Sequence, residues 1–310
     1  MSMIMTFEHN TDEIRIRHAE AGDNYGAYRV LMRSIMDMFD RNGQGEAQTL
    51  TGEQLREGYA KDKYIYDFLQ GEAEYFEVAE RAGEIVGYAR TINSGGLRSL
   101  TDFFVLPEVQ ATGVGKELLK RAFPPGEKYR AIIATTDISA QALYMKAGLY
   151  PHTNIYSFVK APEARTYQTD LQIVPVQKSK DVLNQLAEID AEILEIRRDA
   201  THEWLLSHKT CFIYYRDNHP VGYGYAGEMA GPFALLECSD YPAILAHAEN
   251  FAAAHHYEKF NVNAPTINAA VVRYAMQNAF RLDDLTCVLM LEKPFGRFEN
   301  YAVTVPMYFL

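Results

Sequence analysis

The sequence predicts an α+β fold made of two consecutive domains of one type, each a mixed, mostly antiparallel sheet flanked by helices. Three observations predict it: the order of elements repeats, the tripeptide Val-Gly-Tyr recurs in both predicted hairpins, and a polar, proline-containing segment separates the halves. Repetition of this kind is typical of a duplicated structural unit. We therefore predict a domain at residues 1–160, a linker at 161–166 and a second domain at 167–310.

The first half alternates apolar runs of strand length with segments of helical periodicity. Its most regular part is a hairpin that turns at residues 81–83. The predicted elements are, in order, a strand at 14–17, a helix at 25–40, a polar excursion with helical patches at 41–71, hairpin strands at 75–80 and 84–90, a strand at 100–106, a helix at 116–123, a strand at 130–136, a helix at 139–147 and a strand at 155–160.

The second half runs through the same order of elements, with its hairpin turning at residues 216–219. The predicted elements are a strand at 171–174, a helix at 178–196, hairpin strands at 211–215 and 220–225, a strand at 233–238, a helix at 243–255, a strand at 259–263, a helix at 268–278 and a strand at 285–291.

Composition narrows the function classes. The 310-residue chain carries a net charge of −11, which argues against broad binding to nucleic acid because that needs a basic surface. No apolar run reaches the length of a membrane span, and the N-terminus lacks the basic flank of a secretory signal. The 3 cysteines are scattered, which favours a reduced, cytoplasmic protein without a disulfide framework. His202-Glu203 is not followed by the second histidine of a zinc-protease motif, so we predict no metal.

The most informative segment is the turn between the strand at 100–106 and the helix at 116–123. Pro107 cannot donate to a sheet ladder and ends the strand. Gln110, Gly113 and Gly115 then form Gln-x-x-Gly-x-Gly at the start of the helix. Unpaired amides and the helix dipole gather positive potential there, and the glycines let a ligand approach the backbone closely. The pattern predicts a pyrophosphate site.

A second motif lies at residues 137–149. Here Tyr144 follows the end of a strand by two helical turns, so that its phenol can point back toward that end. A phenol in such a place can give a proton to a departing thiolate. Asp137 begins the motif and Gly148 ends it at the helix C-cap.

These two segments resemble motifs A and B of the GNAT acetyltransferase superfamily. Motif A is met at every fixed position; in motif B, Ala140, Leu143, Tyr144 and Gly148 match, while Asp137 replaces Asn and Leu149 replaces Phe. An ionised Asp accepts but does not donate a hydrogen bond, so the usual contact of this position with the pantetheine arm is altered.

The resemblance implies that acetyl-CoA is the cosubstrate and that Tyr144 is the general acid. It further implies a coenzyme site whose residues are the backbone of Phe103, Phe104 and Val105 for the pantetheine arm, the cradle of Gln110, Ala111, Thr112, Gly113, Val114, Gly115 and Lys116 for the pyrophosphate, and Asp137 with Ala140 at the second motif.

The second half resembles the same family with its functional positions lost. Asn268 fits motif B, but Ala275 stands where the tyrosine belongs and Tyr274 lies about 100° around the helix. The turn before the helix at 243–255 has no glycine, and Asp240 there would repel phosphates. We therefore expect a degenerate copy and one coenzyme site per chain.

The general base and the acceptor pocket stay open at this point. Asp102, Glu77 or a chain of water molecules could remove the proton from the ammonium group. In the family the region matching 41–71 shapes the acceptor pocket. Its aromatic and acidic residues can hold an amine or simply pack: Tyr59, Asp62, Tyr64, Tyr66, Asp67 and Phe68.

The resemblance implies an acyl-CoA-dependent N-acetyltransferase that moves an acyl group to a primary amine of a small molecule by direct attack. The alternative is a non-catalytic tandem protein that binds and senses acyl-CoA. A third possibility, an aminoacyl-tRNA transferase, is disfavoured by the intact glycine pattern and the acidic charge. We expect a monomer or homodimer without nucleic-acid or membrane partners.

Overall fold

The structure, a computed structural model, describes residues 13–41, 43, 50–304, 307–308 and 310. The N-terminal segment 1–12 and the part of the predicted excursion at 42 and 44–49 therefore lie outside the described residues. The chain divides into two compact units. Unit 1 comprises Met1–Ile92 and Asp102–Pro124, and unit 2 comprises Asn93–Thr101 and Pro125–Leu310.

Unit 1 contains the first three strands of the chain, which pair antiparallel in chain order, the second part of the fourth strand, and the helices that pack on them. Residues 93–101, the tip of the hairpin that joins the third strand to the fourth, belong to unit 2. The elements, in chain order, are β1 (Arg15–His18), α1 (Asp23–Arg41), α2 (Gly52–Gly71), β2 (Ala73–Arg81), β3 (Glu84–Ser94), β4 (Leu97–Val105) and α3 (Val114–Ala122).

The helical patches of the predicted excursion are one 20-residue helix, α2. A capping box fixes its start: the amide of Gln54 donates to Thr51 Oγ1 at 3.2 Å, and the amide of Thr51 donates to Gln54 Oε1 at 2.8 Å. Ile65, Tyr66 and Leu69 are buried, so one face of the helix packs into unit 1. The cap and this periodic face join the predicted helical patches into one continuous helix.

The hairpin formed by β2 and β3 lies where the sequence predicted it. Its turn uses Ala82 and Gly83, both at positive φ, as a tight hairpin turn requires. Val78, Ala79 and Ala89 are fully buried, so the middle of the hairpin is core. On the opposite faces of this hairpin lie the charged side chains Glu77 and Arg90, which are buried as well.

Unit 2 holds the elements after α3. In chain order they are β5 (Tyr129–Thr135), α4 (Ile138–Lys146), β6 (Tyr150–Lys160), β7 (Gln172–Val176), α5 (Lys180–Leu194), α6 (Asp199–His208), β8 (Thr210–Arg216), β9 (His219–Ala226), β10 (Phe233–Leu235), α7 (Tyr241–Ala254), β11 (Phe260–Pro265), α8 (Ala269–Gln277), β12 (Arg281–Leu291) and β13 (Tyr301–Ala302).

The strands of unit 2 form two runs. One is the five-stranded sheet β13-β10-β9-β8-β7, and the other has the order β4-β5-β12-β6-β11. The first residues of β4 pair in parallel with β5, whereas the pairs within the five-stranded sheet and those of β12 are antiparallel. The mixed, mostly antiparallel α+β fold is confirmed. The linker at 161–166, with a domain on each side of it, stays a prediction.

One strand joins the two halves of the sequence within unit 2. β12 comes from the second half, yet it lies between β5 and β6 of the first half and pairs with both. Leu289 of this strand is opposite Ile133 on one side and Thr153 on the other. No local sequence pattern indicated this insertion.

A buried polar network ties α5 and α6 to the five-stranded sheet. Arg198 donates from Nε to Asp190 Oδ2 at 2.7 Å and from Nη1 to the Tyr301 hydroxyl at 2.7 Å. His202 Nε2 lies 2.8 Å from Asp190 Oδ2, and Tyr223 donates to Asp190 Oδ1 at 2.5 Å. Every side chain in this network is almost fully buried, so each charge depends on its neighbours instead of on water.

Candidate functional site

The predicted pyrophosphate site lies in unit 1, where β4 ends. The chain makes a short 3₁₀ turn at Pro107–Val109 and then enters α3 through Gly113, its N-cap, at φ 93° and ψ −9°. We call residues 110–116 the amide cradle. Ala111 is also at positive φ, 63°, so the loop bends twice within three residues of sequence. Left-handed geometry of this kind turns successive amides toward one point.

Most backbone amides of the cradle have no acceptor within the part of the chain that the structure describes. The amide of Gln110 donates to the carbonyl of Pro107 and that of Glu117 to Gly113, at the two ends of the cradle. Among the described residues, the amides of 111–116 between them donate to no backbone or side-chain acceptor. The start of α3 therefore keeps the unpaired donors that an anion requires.

Two side chains of the cradle hold the loop in shape. Gln110 donates from Nε2 to the carbonyl of Val105 at 3.0 Å, and Thr112 donates from Oγ1 to the carbonyl of Val109 at 2.7 Å. Both point back to the preceding strand and turn. Their structural role is to fix the amides, and a direct role of the Gln110 side chain in binding stays a prediction.

The cradle has room for a ligand. A Cβ placed on Gly113 would meet no atom within 4 Å, and residues 110–113 and 116 are exposed. A diphosphate fits this combination of open space, unpaired amides and a helix N-terminus, because it needs donors without competing acceptors.

The predicted pantetheine segment continues from β4 into the cradle. The parallel pairing of β4 with β5 ends at Ser99, so Phe103, Phe104 and Val105 take no part in that ladder. The carbonyl of Val105 already accepts a hydrogen bond from the side-chain Nε2 of Gln110. Phe104 lies with its ring centroid 6.0 Å from that of Tyr88, on the same face of unit 1 as Asp102.

Asp102, one candidate base, is buried beside a guanidinium. Its Oδ2 lies 3.6 Å from Arg90 Nε, and its Oδ1 accepts from the Tyr88 hydroxyl at 3.3 Å. Arg90 in turn donates to Asn24 Oδ1 at 3.3 Å and lies with Cζ 4.2 Å above the ring of Phe76. The Asp102 carboxylate thus lies between a phenol and a guanidinium, an arrangement that suits a structural partner in the core of unit 1.

Glu77, the other candidate, lies on the opposite face of the hairpin from Phe76. It is 3% exposed, and its Oε1 is 2.6 Å from Nδ1 of His18 on the neighbouring strand β1. His18 is exposed, so the pair joins a buried carboxylate to a solvent-facing imidazole. The two candidate bases therefore lie on opposite faces of the sheet in unit 1: Asp102 on the face of Arg90, and Glu77 on the other.

The aromatic residues of the predicted acceptor region pack mainly against α1. Tyr59 lies with its ring centroid 5.4 Å from that of Tyr25 and 5.6 Å from that of Tyr28. Asp62 lies one turn further along α2, and burial raises the pKa of its carboxyl. Of the other residues, Tyr66 joins the tyrosine cluster and is buried, Phe68 is half-buried, Tyr64 is exposed, and Asp67 binds Lys63.

The second motif lies in unit 2. Asp137 is the N-cap of α4, and its Oδ1 accepts from the amide of Ala140 at 2.8 Å. This carboxylate does the capping work for which Asn and Asp are both suited, which gives the Asp-for-Asn replacement a structural reason. Tyr144 is 4% exposed, and burial raises the pKa of its phenol well above 10, with a smaller contribution from the charge of Asp137. The phenol therefore keeps its proton at neutral pH.

Comparison with known proteins agrees with these motifs. Residues 42–158 match the family model of the acetyltransferase (GNAT) domain. That segment belongs to the GNAT superfamily. No curated protein sequence gives a significant match.

Solved structures with the GNAT fold match nearly the whole chain. A Pyrococcus horikoshii protein described as an acetyltransferase is 15% identical with a TM-score of 0.66, over 97% of this chain and 96% of that one. A GCN5-related N-acetyltransferase from Sphaerobacter thermophilus is 14% identical with a TM-score of 0.56, over 91% and 96%. A fungal glucosamine N-acetyltransferase region is 12% identical with a TM-score of 0.60, over 90% of this chain and 38% of that one. At these identities the likeness shows a shared fold.

Two residues that the sequence analysis singled out in the second half, Asp240 and Tyr274, have partners within unit 2. Asp240 ends a 3₁₀ turn before α7 and binds Arg216 through Oδ1 at 2.8 Å. Tyr274 donates to Glu249 Oε2 at 3.1 Å. Both side chains serve the packing of unit 2, and the loss of coenzyme binding in this half stays a prediction.

Sequence reasoning missed Arg90, which lies beside Asp102, and Asn24, which accepts a hydrogen bond from Arg90. The available signal was a charged residue in the middle of the apolar strand β3, on the same face as Tyr88. Among the described residues, no group of three or more acidic, histidine or cysteine side chains is arranged to hold a metal ion. None of the described helices has the length and apolar character needed to cross a membrane.

Proposed function

We propose that this protein is an acyl-CoA-dependent N-acetyltransferase that acetylates a primary amine of a small molecule by direct attack. The observation that carries the proposal is the amide cradle, where the amides of 111–116 have no acceptor among the described residues and Gly113 leaves open space. The match of residues 42–158 to the GNAT family supports the reaction class.

In this proposal the cradle amides hold the pyrophosphate and the backbone of Phe103 to Val105 orients the pantetheine arm. Asp137 and Ala140 are the coenzyme-binding residues of the second motif. Coenzyme A supplies the activated acyl group as a thioester. We propose Tyr144 as the proton donor to the departing thiolate, and the burial that raises the pKa of its phenol keeps the proton on it until then. Binding both reactants in one orientation supplies much of the rate enhancement.

Gly113→Ala tests the coenzyme site. At φ 93° an alanine is strained, and its methyl group would enter the open space where the diphosphate is proposed to bind. We expect the affinity for coenzyme A in calorimetry to fall at least tenfold. Gly126→Ala is the matched control, because Gly126 also has positive φ and no atom within 4 Å of its Cβ position, but it lies outside the cradle. The affinity of Gly126→Ala for coenzyme A should be unchanged.

Calorimetry of the wild-type chain should give one coenzyme site. Two sites, or equal losses in both glycine variants, would contradict the proposal. Turnover is then measured as release of free thiol from acetyl-CoA with polyamines, aminosugars, amino acids and peptide N-termini as acceptors. The aminosugars belong in this set because one structural relative is a glucosamine N-acetyltransferase region.

The second candidate is a protein that senses acyl-CoA without turnover. It is favoured because each candidate base already contacts another side chain of the protein. Asp102 lies beside Arg90, and Glu77 lies beside His18. Coenzyme binding without thiol release for any acceptor class would support this candidate over the enzyme.

A further inference from the structure

A separate cavity of about 280 Å³ lies in unit 1, behind the turn of the β2–β3 hairpin. One wall is α1, a second is the hairpin turn and the start of β3, and a third is the segment that leads from β4 into the cradle. None of the residues that line it belongs to the amide cradle itself. The nearest in sequence is Glu108, within the 3₁₀ turn that precedes Gln110.

The rim of the cavity is cationic. Three arginines line it, Arg29, Arg33 and Arg81, together with two glutamates, Glu84 and Glu108, which leaves one net positive charge (+3 − 2 = +1). Toward the described residues, Arg29 donates from Nη2 to Glu84 at 2.7 Å and Arg33 donates from Nη2 to Glu108 at 2.9 Å. A guanidinium carries five N–H donors, so most of those on both side chains remain available.

Arg81 differs from the other two arginines. It is half-buried at the end of β2, and among the described residues it forms no ion pair. The positive field of the rim is felt by Glu108: partial burial opposes its ionisation, but a hydrogen bond within its own residue and the charges of Arg33 and Arg81 outweigh that and lower its pKa.

The floor of the cavity is apolar. Val30, Val86 and Leu106 contribute buried side chains, and Ile85 is half-buried beside them. Helix α1 approaches this floor closely through Gly26, where a Cβ would come within 2.7 Å of Ile85 Cγ1. An apolar floor below a guanidinium rim suits a ligand with a compact hydrocarbon body and an anionic end.

We propose that this cavity binds a small monocarboxylate with an apolar body, held by Arg81 through a bidentate pair. The single net positive charge matches a singly charged ligand, and the planar guanidinium fits a carboxylate. The exposed pairs of Arg29 and Arg33 are of the weak kind, so they can exchange a carboxylate oxygen for one of the ligand. The site does not depend on coenzyme binding.

The experiment uses benzoate as the probe, with benzyl alcohol and phenyl phosphate as its neutral and more highly charged analogues. Binding is measured by NMR on the full chain, with and without an excess of coenzyme A. We expect one benzoate site in both conditions, no binding of benzyl alcohol, and weaker binding of phenyl phosphate. The amides of Ala82 and Leu106 should shift on addition of benzoate, because both residues line the cavity.

Arg81→Gln should weaken benzoate binding at least tenfold. Arg15→Gln is the matched control, since it removes the same charge from exposed β1, outside the cavity, and should leave binding unchanged. Equal losses in both variants, equal binding of benzyl alcohol, tighter binding of phenyl phosphate, or displacement of benzoate by coenzyme A would each overturn the proposal. If Arg81→Gln does not fold, the absence of amide shifts at Ala82 and Leu106 in the wild-type chain overturns it equally. These results are independent of whether coenzyme A binds the cradle.

Discussion

Replacing Asp190 by Asn removes the charge that compensates a buried guanidinium in unit 2. Both carboxylate oxygens accept from Arg198, at 2.7 and 3.0 Å, and both side chains have no exposed surface. The remaining Arg198 would keep its charge without a counter-ion. Removing one partner of such a pair costs about 3–5 kcal/mol. We expect the free energy of unfolding to fall by this amount.

Urea unfolding followed by circular dichroism at pH 7 measures the loss. Asp199→Asn is the control, because Asp199 forms an exposed pair with Arg197 at 2.9 Å, and exposed pairs contribute at most about 1 kcal/mol. If Asp190→Asn costs no more than this control, the reasoning about the buried charge is wrong.

The pH dependence gives a second test of the same pair. Burial opposes ionisation of Asp190, but the charges of Arg198 and His202 and their hydrogen bonds outweigh it and lower the pKa. A lowered carboxyl pKa in the folded state adds stability above the unfolded value of about 3.9, and that stability is lost as the pH falls below it. The difference between wild type and Asp190→Asn should therefore shrink from pH 5 toward acid.

Three further changes have defined outcomes. Tyr144→Phe should lower kcat by about 10²–10⁴ with unchanged affinity for coenzyme A, and unchanged turnover would remove Tyr144 as the acid. Burial lowers the pKa of Lys209 to about 8, so between pH 8 and 10 the unfolded chain binds more protons than the folded one. The free energy of unfolding of the wild type, relative to that of Lys209→Met, should therefore rise over this range. Denaturant unfolding at several pH values measures it. Thr51→Ala removes the capping box of α2 and should cost about 1 kcal/mol, seen as a lower Tm; an unchanged Tm would contradict that role.

The sequence predicted best the features that are local along the chain. The amide cradle and the β2–β3 hairpin each come from a few consecutive residues, whose glycines and alternating apolar positions directly reflect the backbone. By contrast, the pair of Arg90 and Asp102 depends on which strand faces come together. The arginine-lined cavity combines three separate segments, and no periodicity within any one of them indicates the others.

The capping role of Asp137 is a case between these two. Its place in the motif was visible, and its helix-capping chemistry belongs to the residue type, but only the structure shows that the carboxylate is engaged with the amide of Ala140. The insertion of β12 was invisible for a different reason, since strand pairing across a long stretch of sequence leaves no mark in local composition.

That insertion has a consequence for how the chain is made. β5 and β6 leave the ribosome long before Arg281–Leu291, so both must wait with an open edge for a partner synthesised much later. Open edges invite pairing with other chains, and contacts this distant in sequence form slowly. A nascent chain stopped at residue 160 would therefore need protection from aggregation, and a gene truncated there would encode an unfinished sheet.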